Sequence, residues 1–485
     1  MKKSTLNTSK RTSLLYKKIR GNKIMYYIFK NELKRRFKNP VIWILILITI
    51  IVLYVNIERS HEANEFDAIL SHTPGISVAS DEEAFTEALK EYWYGKSYED
   101  YITRSDYFIS QSLYNTKLHN YEMDKKAYLD NDIRERNRLS AFGSLLSANE
   151  AANTKLNNSE FSKYIVQIAN NDLWDKISDG ISYKDIDFVN NETGGLYSTI
   201  QSIFHAKYYH YLYTNSIKPI ETYEFNNLYV LYNWIINIVP LMLIIFSILL
   251  NYDLINRDVK EGSAKLLITQ SISRWKYYLG KFFAGTIVIL FTLMIPLLVS
   301  NIYLKTQTKS YPMNYPIVYD EQGLTSFKPS FNYKEKNYKI YERDQHVAFY
   351  TIPYSKMSDH HQFKTPLYQR NTELISFNKY IMLSFLFGLL FIMFMVAFIQ
   401  LCSAIFNNTI VSILATTGIY CGFYFLFRPY LYEKHYNLCP FTMNNSARIV
   451  AGTHNVTMLT AFLILTLSTL LLLLIGIKYF KKKAI

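Results

Sequence analysis

The chain has 485 residues and a formal net charge of +14, and 49% of its residues are hydrophobic. Its three cysteines, Cys402, Cys421 and Cys439, are too few for a disulfide framework, so the fold must depend on its apolar core. The excess of basic residues flanks long apolar blocks, which is a topology signal of membrane proteins, so we expect no nucleic-acid partner.

Six blocks of the sequence contain no Asp, Glu, Lys, Arg or His. At 1.5 Å per residue, five are long enough to cross a bilayer and the first is nearly so. The rest of the chain is too short to bury them, which predicts a mainly α-helical, multi-pass protein of the cell membrane, with a bacterial plasma membrane as the expected location. A signal peptide is the alternative for the first block, but 40 residues precede it and no small-residue cleavage site follows it. The predicted spans are 41–57, 228–250, 282–304, 381–406, 409–427 and 456–477.

Charge between the blocks predicts the orientation. Segments 1–40, 251–281 and 478–485 together hold 23 Lys or Arg and 4 Asp or Glu, whereas the other connecting segments hold 30 and 35. Basic connections stay on the cytoplasmic side. We therefore expect both termini in the cytoplasm, with residues 456–485 forming span 6 and a basic cytoplasmic tail.

Residues 1–40 are predicted to be a basic cytoplasmic tail that includes an interfacial helix over 23–38. Apolar and basic side chains mix there, which is typical of a helix lying on an anionic membrane surface. The alternative is a disordered tail whose charge only sets the topology. The residues of the interfacial helix expected to meet lipid headgroups are Lys30, Lys34, Arg35 and Arg36.

Segments 58–227 and 305–380 are predicted to be extracellular and to form one mixed α/β module. The first is net acidic, rich in aromatic residues and largely helical, with helices over 82–147, 159–169 and 194–215. The second is net basic and punctuated by prolines, which indicates strands and turns. Opposite net charge favours packing of the two segments on each other.

The link between the second and third blocks, inside 228–304, is amphipathic and predicts a cytoplasmic helix over 255–272. Ile255, Val259 and Leu266 fall at helical spacing. A helix held between two spans is a lever that a soluble protein can push. The charged residues expected on its exposed surface are Arg257, Asp258, Lys260 and Glu261.

Two further connections are short. Within 381–427, Asn407-Asn408 joins spans 4 and 5 as a tight hairpin. The extracellular loop 428–455 is predicted to re-enter the bilayer, with a turn at Cys439-Pro440-Phe441 and apolar Ile449 and Val450 beyond it. Non-helical backbone at that depth is tolerated only where protein shields it.

This arrangement resembles the ATP-binding-cassette permeases of the type-2 exporter class. Their core has six spans, a basic interfacial helix, a coupling helix between spans 2 and 3, and a re-entrant hairpin before span 6. The resemblance covers 23–57, 228–304 and 381–480, whereas the two long extracellular segments depart from family members that have short loops there. The residues similar to the family's coupling pattern are Glu261, Gly262, Ser263, Leu266, Leu267, Ser271, Ile272, Ser273, Arg274, Gly280 and Lys281.

The pattern departs from the family's spacing, because Glu261 adjoins Gly262 directly. The resemblance implies that the helix docks into a cytoplasmic ATP-binding-cassette ATPase, with Leu266 and Leu267 as apolar anchors. It also implies a homodimer or a pair with a paralogous permease, and it places ATP and Mg on the partner ATPase, so this chain is expected to bind no cofactor. The implied ATPase-coupling residues are Glu261, Gly262, Ser263, Leu266, Leu267 and Arg274.

Signatures of other activities are weak. Gly95-Lys96-Ser97 has Lys90 where a nucleotide-binding loop requires its first glycine, so the chain is not expected to be an enzyme. The apolar blocks lack ionisable residues, which argues against ion-coupled transport. His205 and His210 are five residues apart, a poor spacing for shared metal ligation on a helix, and no metal site is expected.

These observations favour the permease subunit of an ATP-driven exporter that moves an amphipathic, peptide-like or lipid-like substrate, with antimicrobial-peptide export or self-protection as the first choice of cargo. Two alternatives from other classes stay open. One is a mechanotransmission complex that drives an extracellular partner, a class that typically has four spans. The other is a membrane receptor or adhesin without an ATPase.

Overall fold

The computed structural model describes residues 25–70, 110–153, 160–188, 196–220, 226–262, 273–327, 372–427, 437–452, 454 and 456–482. This part of the chain is mainly helical. Six of its helices are long and apolar enough to cross a membrane, which confirms the predicted number of spans. We number them span 1 to span 6: Pro40–Ser60, Asn227–Lys260, Arg274–Gln307, Phe377–Ile405, Thr409–Leu426 and Met458–Lys482.

Several spans extend beyond the apolar blocks that predicted them. Span 3 begins at Arg274, well before the predicted 282, and the helix of span 1 continues to Leu70. Charged side chains are tolerated at helix ends because they reach water or pack against protein. An uncharged block therefore marks only the middle of a spanning helix.

Span 4 is the centre of the bundle. It packs against spans 2, 3, 5 and 6 and against the short helix Ser446–Val450. Phe391, Met395 and Ile399 follow one another at intervals of four, which places them on one helical stripe, and all three are fully buried. Span 5, by contrast, exposes large apolar side chains such as Ile410 and Leu414, as a lipid-facing helix does.

Span 2 contains a π-helix at Trp234–Ile238, between the α-helices Asn227–Asn233 and Val239–Asn251. Pro240 has no N–H, so the carbonyl of Ile236 lacks its usual helical donor. The side-chain amide of Asn445 donates to that carbonyl instead, at 2.8 Å. The proline thus opens the helix, and a side chain from the loop before span 6 satisfies the freed carbonyl.

That loop folds back into the protein. A 3₁₀-helix at Pro440–Thr442 forms the turn expected at Cys439-Pro440-Phe441, and Phe441 packs among the rings of Phe394 and Phe398 of span 4. Ile449 and Val450 are completely buried. The loop is therefore shielded by protein, as irregular backbone inside a bilayer requires.

Four helices between spans 1 and 2 form a separate unit, which we call the four-helix unit: Gln111–Leu129, Ile133–Ala152, Glu160–Ile177 and Leu196–Asn215. The described part of the helical region predicted over 82–147 consists of two helices, because the chain turns at Asn131, whose φ is +53°. Asp132 then caps the next helix by accepting a hydrogen bond from the Glu135 amide. Residues 82–109 of that prediction lie outside the described residues.

Most buried apolar residues of the four-helix unit form a core of their own, whereas Tyr208 and Leu212 of its last helix belong to the core of the spans. Trp174 is fully buried and packs edge-to-face on Phe142, with ring centroids 5.3 Å apart. Buried Asn149 and Asn170 exchange two amide hydrogen bonds of 2.8 and 2.9 Å, so neither amide loses its polar partners on burial.

The segment between spans 3 and 4 contributes two short antiparallel strands among its described residues, β1 (Pro316–Asp320) and β2 (Thr372–Ser376), with Ile317 opposite Ile375. The two strands observed among the described residues are fewer than the predicted mixed α/β module implies. The segment meets the four-helix unit through tyrosines: Tyr208 and Tyr315 are joined by their hydroxyls, and Tyr211 donates to the carbonyl of Asn314 at 3.2 Å. These described contacts are aromatic and hydrogen-bonded, whereas the prediction relied on opposite net charge.

We expect the stability of the four-helix unit to depend on pH through His205. Burial lowers the pKa of His205 to about 4, below the ordinary value of 6.5. Between these values the unfolded chain binds a proton that the folded unit does not, so stability falls as the pH decreases from about 6.5 to about 4. The full loss is about 3 kcal/mol. Hydrogen-exchange protection of helix Leu196–Asn215, corrected for intrinsic rates at each pH, measures it.

A His205→Gln variant should lose most of this slope, and His210, whose pKa is lowered by burial and by Lys176, should keep the remainder. His119→Gln, on the exposed surface of the same unit, is the matched control and should keep it. An unchanged slope in His205→Gln would show that another group is responsible.

Candidate functional site

One end of the span bundle collects the chain's basic segments, and we call it the charged end. A helix at residues 25–37, hereafter the first helix, packs there against the start of span 3 and the end of span 2. The end of span 6 reaches the same place, where Phe480 stacks on Tyr277. The four-helix unit and the two strands lie at the opposite end of the spans.

Five ionisable side chains at the charged end form a buried cluster, which we call the ion cluster. Glu32, Arg35 and Arg36 come from the first helix, Asp258 from the short helix Asn256–Lys260, and Lys281 from span 3. The Lys281 side chain is 1% exposed and that of Glu32 is 5% exposed. The ion cluster therefore joins three separate parts of the chain in the protein interior.

Glu32 is the acceptor for the first-helix arginines. Its carboxylate lies 2.8 Å from Arg35 Nη2 and 2.7 Å from Arg36 Nε, at helical spacings of three and four residues. Lys281 Nζ approaches the same carboxylate at 3.4 Å. Burial by itself raises the pKa of Glu32, but Lys281, Arg36 and Arg35 together bring that pKa below its ordinary value. Glu32 is therefore ionised at neutral pH.

Asp258 is the second acceptor. It pairs with both Lys281 and Arg35, and the Tyr277 hydroxyl donates to it. Lys281 completes its contacts by donating to the carbonyl of Leu254 at 2.8 Å. Buried charges are tolerated only when they are paired and hydrogen-bonded in this way. The sequence-based expectation that Asp258 lies on an exposed surface is wrong, because this surface meets other charges rather than water.

The helix that carries Asp258, the linker helix, is short: it spans Asn256–Lys260 and is followed by Gly262, whose φ is +70°. A glycine in the left-handed backbone conformation commonly follows the C-terminus of a helix. The continuous helix predicted over 255–272 is therefore interrupted at Gly262. Ser263, Leu266 and Leu267 lie in 263–272, outside the described residues, and their predicted contact with an ATPase stays a prediction.

Span 4 fixes the start of the linker helix. The hydroxyl of Ser403 accepts hydrogen bonds from the backbone amides of Ile255 and Asn256, at 3.0 and 3.1 Å, and all three residues are buried. These amides are among those that a helix leaves without an internal partner. A side chain from a different span thus supplies the N-terminal cap.

Ser403→Ala should loosen the linker helix. Two buried amides lose their acceptor, at a cost of about 1–3 kcal/mol. Faster hydrogen exchange over 252–262 in the full chain measures it. Ser384→Ala is the matched control, because Ser384 is buried on the same span and its hydroxyl has no hydrogen-bond partner among the described residues. Equal exchange in both variants would contradict the cap assignment.

The remaining predicted coupling residues have different surroundings. Glu261 is exposed and pairs with Arg257 at 2.9 Å, so it is accessible to a partner. Arg274 instead donates to the carbonyls of Phe480 and Lys481 at the end of span 6, at 3.3 and 2.8 Å. A cation there satisfies terminal carbonyls and the negative end of the helix dipole. The described contacts of Arg274 therefore link span 3 to span 6.

The first helix also differs from its prediction. Lys30 and Lys34 are exposed, as a helix on a membrane surface requires, but Arg36 is buried and Arg35 half-buried in the ion cluster. The expectation that all four basic residues meet lipid headgroups is thus wrong for Arg36 and incomplete for Arg35. Their carboxylate partners, Glu32 and Asp258, lie on the first helix and the linker helix.

Gly280 explains how the first helix comes so close to span 3. A Cβ at this position would lie 3.0 Å from Cγ2 of Ile28 and 3.5 Å from the carbonyl of Met25. The pair Gly280-Lys281, singled out in the sequence, therefore combines a close backbone approach with the central cation of the ion cluster.

The ion cluster connects the linker helix to three other elements. Asp258 joins it to Lys281 of span 3 and to Arg35 of the first helix, and Ser403 of span 4 holds its N-terminus. Close packing around these contacts leaves little room for the linker helix to shift alone.

The family described as ABC-2 family transporter protein matches residues 26–484, nearly the whole chain. No curated protein and no solved structure matches the chain significantly.

Proposed function

The chain belongs to the ABC-2 family of transporter proteins, and from this premise we propose that it is the membrane permease subunit of an ATP-driven exporter. Hydrolysis of ATP takes place on a separate cytoplasmic ATPase, which holds ATP and Mg. The permease acts as a homodimer or with a paralogous permease.

The observation that supports this proposal best is the ion cluster around the linker helix. A partner that pushes the exposed side of the linker helix near Glu261 moves Asp258, and with it Lys281 of span 3. The exposed linker surface receives force from the ATPase, and the buried ion cluster transmits it to the spans.

We further propose that the charged end faces the cytoplasm. Connections at this end hold most of the chain's excess of basic residues, as the positive-inside rule requires. The four-helix unit and the strand pair then lie outside the cell, where they gate the exit or select the cargo.

For the cargo, the proposal is an amphipathic, peptide-like or lipid-like molecule, with antimicrobial peptides as the first class to examine. Support comes from the apolar blocks, which lack ionisable residues. Deleting the gene should sensitise cells to antimicrobial peptides and leave resistance to small hydrophilic antibiotics unchanged. Unchanged peptide sensitivity would remove this cargo class without affecting the permease assignment.

The permease assignment is tested by purifying the tagged chain from its native membranes. A cytoplasmic ATP-binding-cassette ATPase should co-purify, and Glu261→Lys should weaken its retention about tenfold, since it reverses a charge at the proposed contact. Glu122→Lys, an equivalent exchange on the exposed four-helix unit, is the control. Absence of any ATPase from the purified protein would favour the receptor or adhesin alternative.

The mechanotransmission alternative is disfavoured by the number of spans. Members of that class typically have four, whereas the described residues of this chain include six candidate spans. The four-helix unit is the feature such a complex would require, but the number of spans supports the permease proposal.

A further inference from the structure

Beside the ion cluster lies a groove of about 230 Å³, between the first helix, the start of span 1 and the end of span 2. Three guanidinium groups line it, from Arg35, Arg36 and Arg257, together with one carboxylate, from Asp253. Arg35 and Arg36 already pair with carboxylates of the ion cluster, whereas the described contacts of Arg257 occupy only its Nε atom, so the terminal nitrogens of Arg257 are the donors available to a ligand.

The groove is situated where the spans meet the membrane surface. Val41, at the start of span 1, and Leu249, near the end of the helix Val239–Asn251, also line it, and each is 39% exposed. Nearby, the exposed Trp43 donates its indole N–H to the carbonyl of Phe37. Tryptophan with one polar contact and an exposed ring is typical of the headgroup level of a bilayer.

We propose that this groove binds the phosphate group of an anionic phospholipid. Guanidinium groups present planar sets of donors that match phosphate oxygens, and basic pockets between spans are known headgroup sites. The exposed side chains of Val41 and Leu249 provide an apolar surface for the acyl chains.

The guanidinium groups are held in place before any ligand arrives. Glu32 fixes both Arg35 and Arg36, and Glu261 accepts from Arg257 Nε at 2.9 Å. The terminal nitrogens of Arg257 carry further N–H donors. Because its orientation is already set, less side-chain entropy is lost on binding than for a mobile surface lysine.

The site adjoins the proposed ATPase contact, because Arg257 pairs with Glu261, but its test uses the purified chain and needs no ATPase. The full chain is purified in detergent with a mixture of phosphatidylglycerol and phosphatidylcholine, and retained lipids are counted by native mass spectrometry. Wild type should retain phosphatidylglycerol preferentially. Arg257→Gln should reduce its retention about tenfold, as expected for loss of a charge-assisted hydrogen bond. Arg257→Lys should keep only part of the phosphatidylglycerol retention, because an ammonium group replaces the planar guanidinium group.

Two control variants distinguish binding at this site from non-specific attraction of anionic lipids to the basic residues of the protein. Lys482→Gln removes an exposed charge at the end of span 6, outside the groove, and should leave retention nearly unchanged. Leu249→Asn should weaken retention by shortening the apolar surface while keeping every arginine. All variants are required to elute as single species, so that misfolding is not mistaken for lost binding.

Three results would overturn the proposal. Equal losses in Lys482→Gln and Arg257→Gln would indicate non-specific electrostatic attraction. Displacement of the lipid by inorganic phosphate at equal phosphate concentration would make this a site for free anions. Unchanged lipid retention in Arg257→Gln, combined with loss of a co-purifying ATPase, would make the groove a protein-docking surface.

Discussion

Replacing Lys281 with Met is expected to destabilise the folded protein by about 3 kcal/mol, because it removes the most deeply buried cation between two carboxylates and leaves them only the arginines of the first helix. Glu32 and Asp258 both contact Lys281 Nζ, and the Lys281 side chain is 1% exposed. Methionine has nearly the same length, so the change removes charge with little change in packing. Denaturant-induced unfolding in mixed micelles measures the loss.

Two further variants define the origin of this effect. Lys305→Met is the matched control, because Lys305 lies on the same helix but is exposed. Combining Lys281→Met with Asp258→Asn should cost less than the sum of the single changes, by about 0.5–3 kcal/mol, since the two residues contact each other. Additive losses would show that the contact between Lys281 and Asp258 adds nothing to the free energy of unfolding beyond the separate effects of the two residues.

The second large effect is expected from Gly476→Ala in span 6. The added Cβ would lie 2.1 Å from the hydroxyl oxygen of Tyr278 and 2.6 Å from its Cζ. Tyr278 is completely buried, and Gln400 donates to its backbone carbonyl, so neither the ring nor its helix has room to retreat. Overpacking of this kind costs about 1–3 kcal/mol.

Gly418→Ala in span 5 provides the opposite case. Nothing lies within 4 Å of the position of its Cβ, so only helix propensity changes, and alanine is favoured there by up to about 1 kcal/mol. Unfolding measurements on both variants should therefore differ in sign. A loss of equal size at both positions would mean that backbone flexibility, and not the contact with Tyr278, explains the result at Gly476.

The sequence allowed the spans to be predicted because apolar length is a local property. An uninterrupted block of 23 residues such as 228–250 indicates a spanning helix whatever it packs against. The turn at Asn131 was also detectable, since Asp130, Asn131 and Asp132 are turn and capping residues, although the prediction gave the helical region 82–147 without dividing it.

The ion cluster could not be predicted in the same way. Amphipathic spacing separates charged from apolar faces, but it does not distinguish a charged face that meets water from one that meets opposite charges. Glu32, the single acidic residue among 13 basic residues in 1–40, was the available signal. Its spacing to Arg35 and Arg36 predicts pairing within the helix, whereas its contact with Lys281 depends on the tertiary fold.

The π-helix of span 2 affects how this chain is compared with other six-span proteins. A π turn is an α-helix with one additional residue, and each residue turns an α-helix by about 100°. Span 2 is therefore one residue longer than the uninterrupted α-helix that would join the same two faces. Aligned without a gap to an uninterrupted span, residues 227–251 can match its buried positions on only one side of the π-helix. Either the pair Leu228 and Leu231 or the pair Leu243 and Phe246 is then out of register by one residue. The correct alignment places a single-residue gap within Trp234–Ile238.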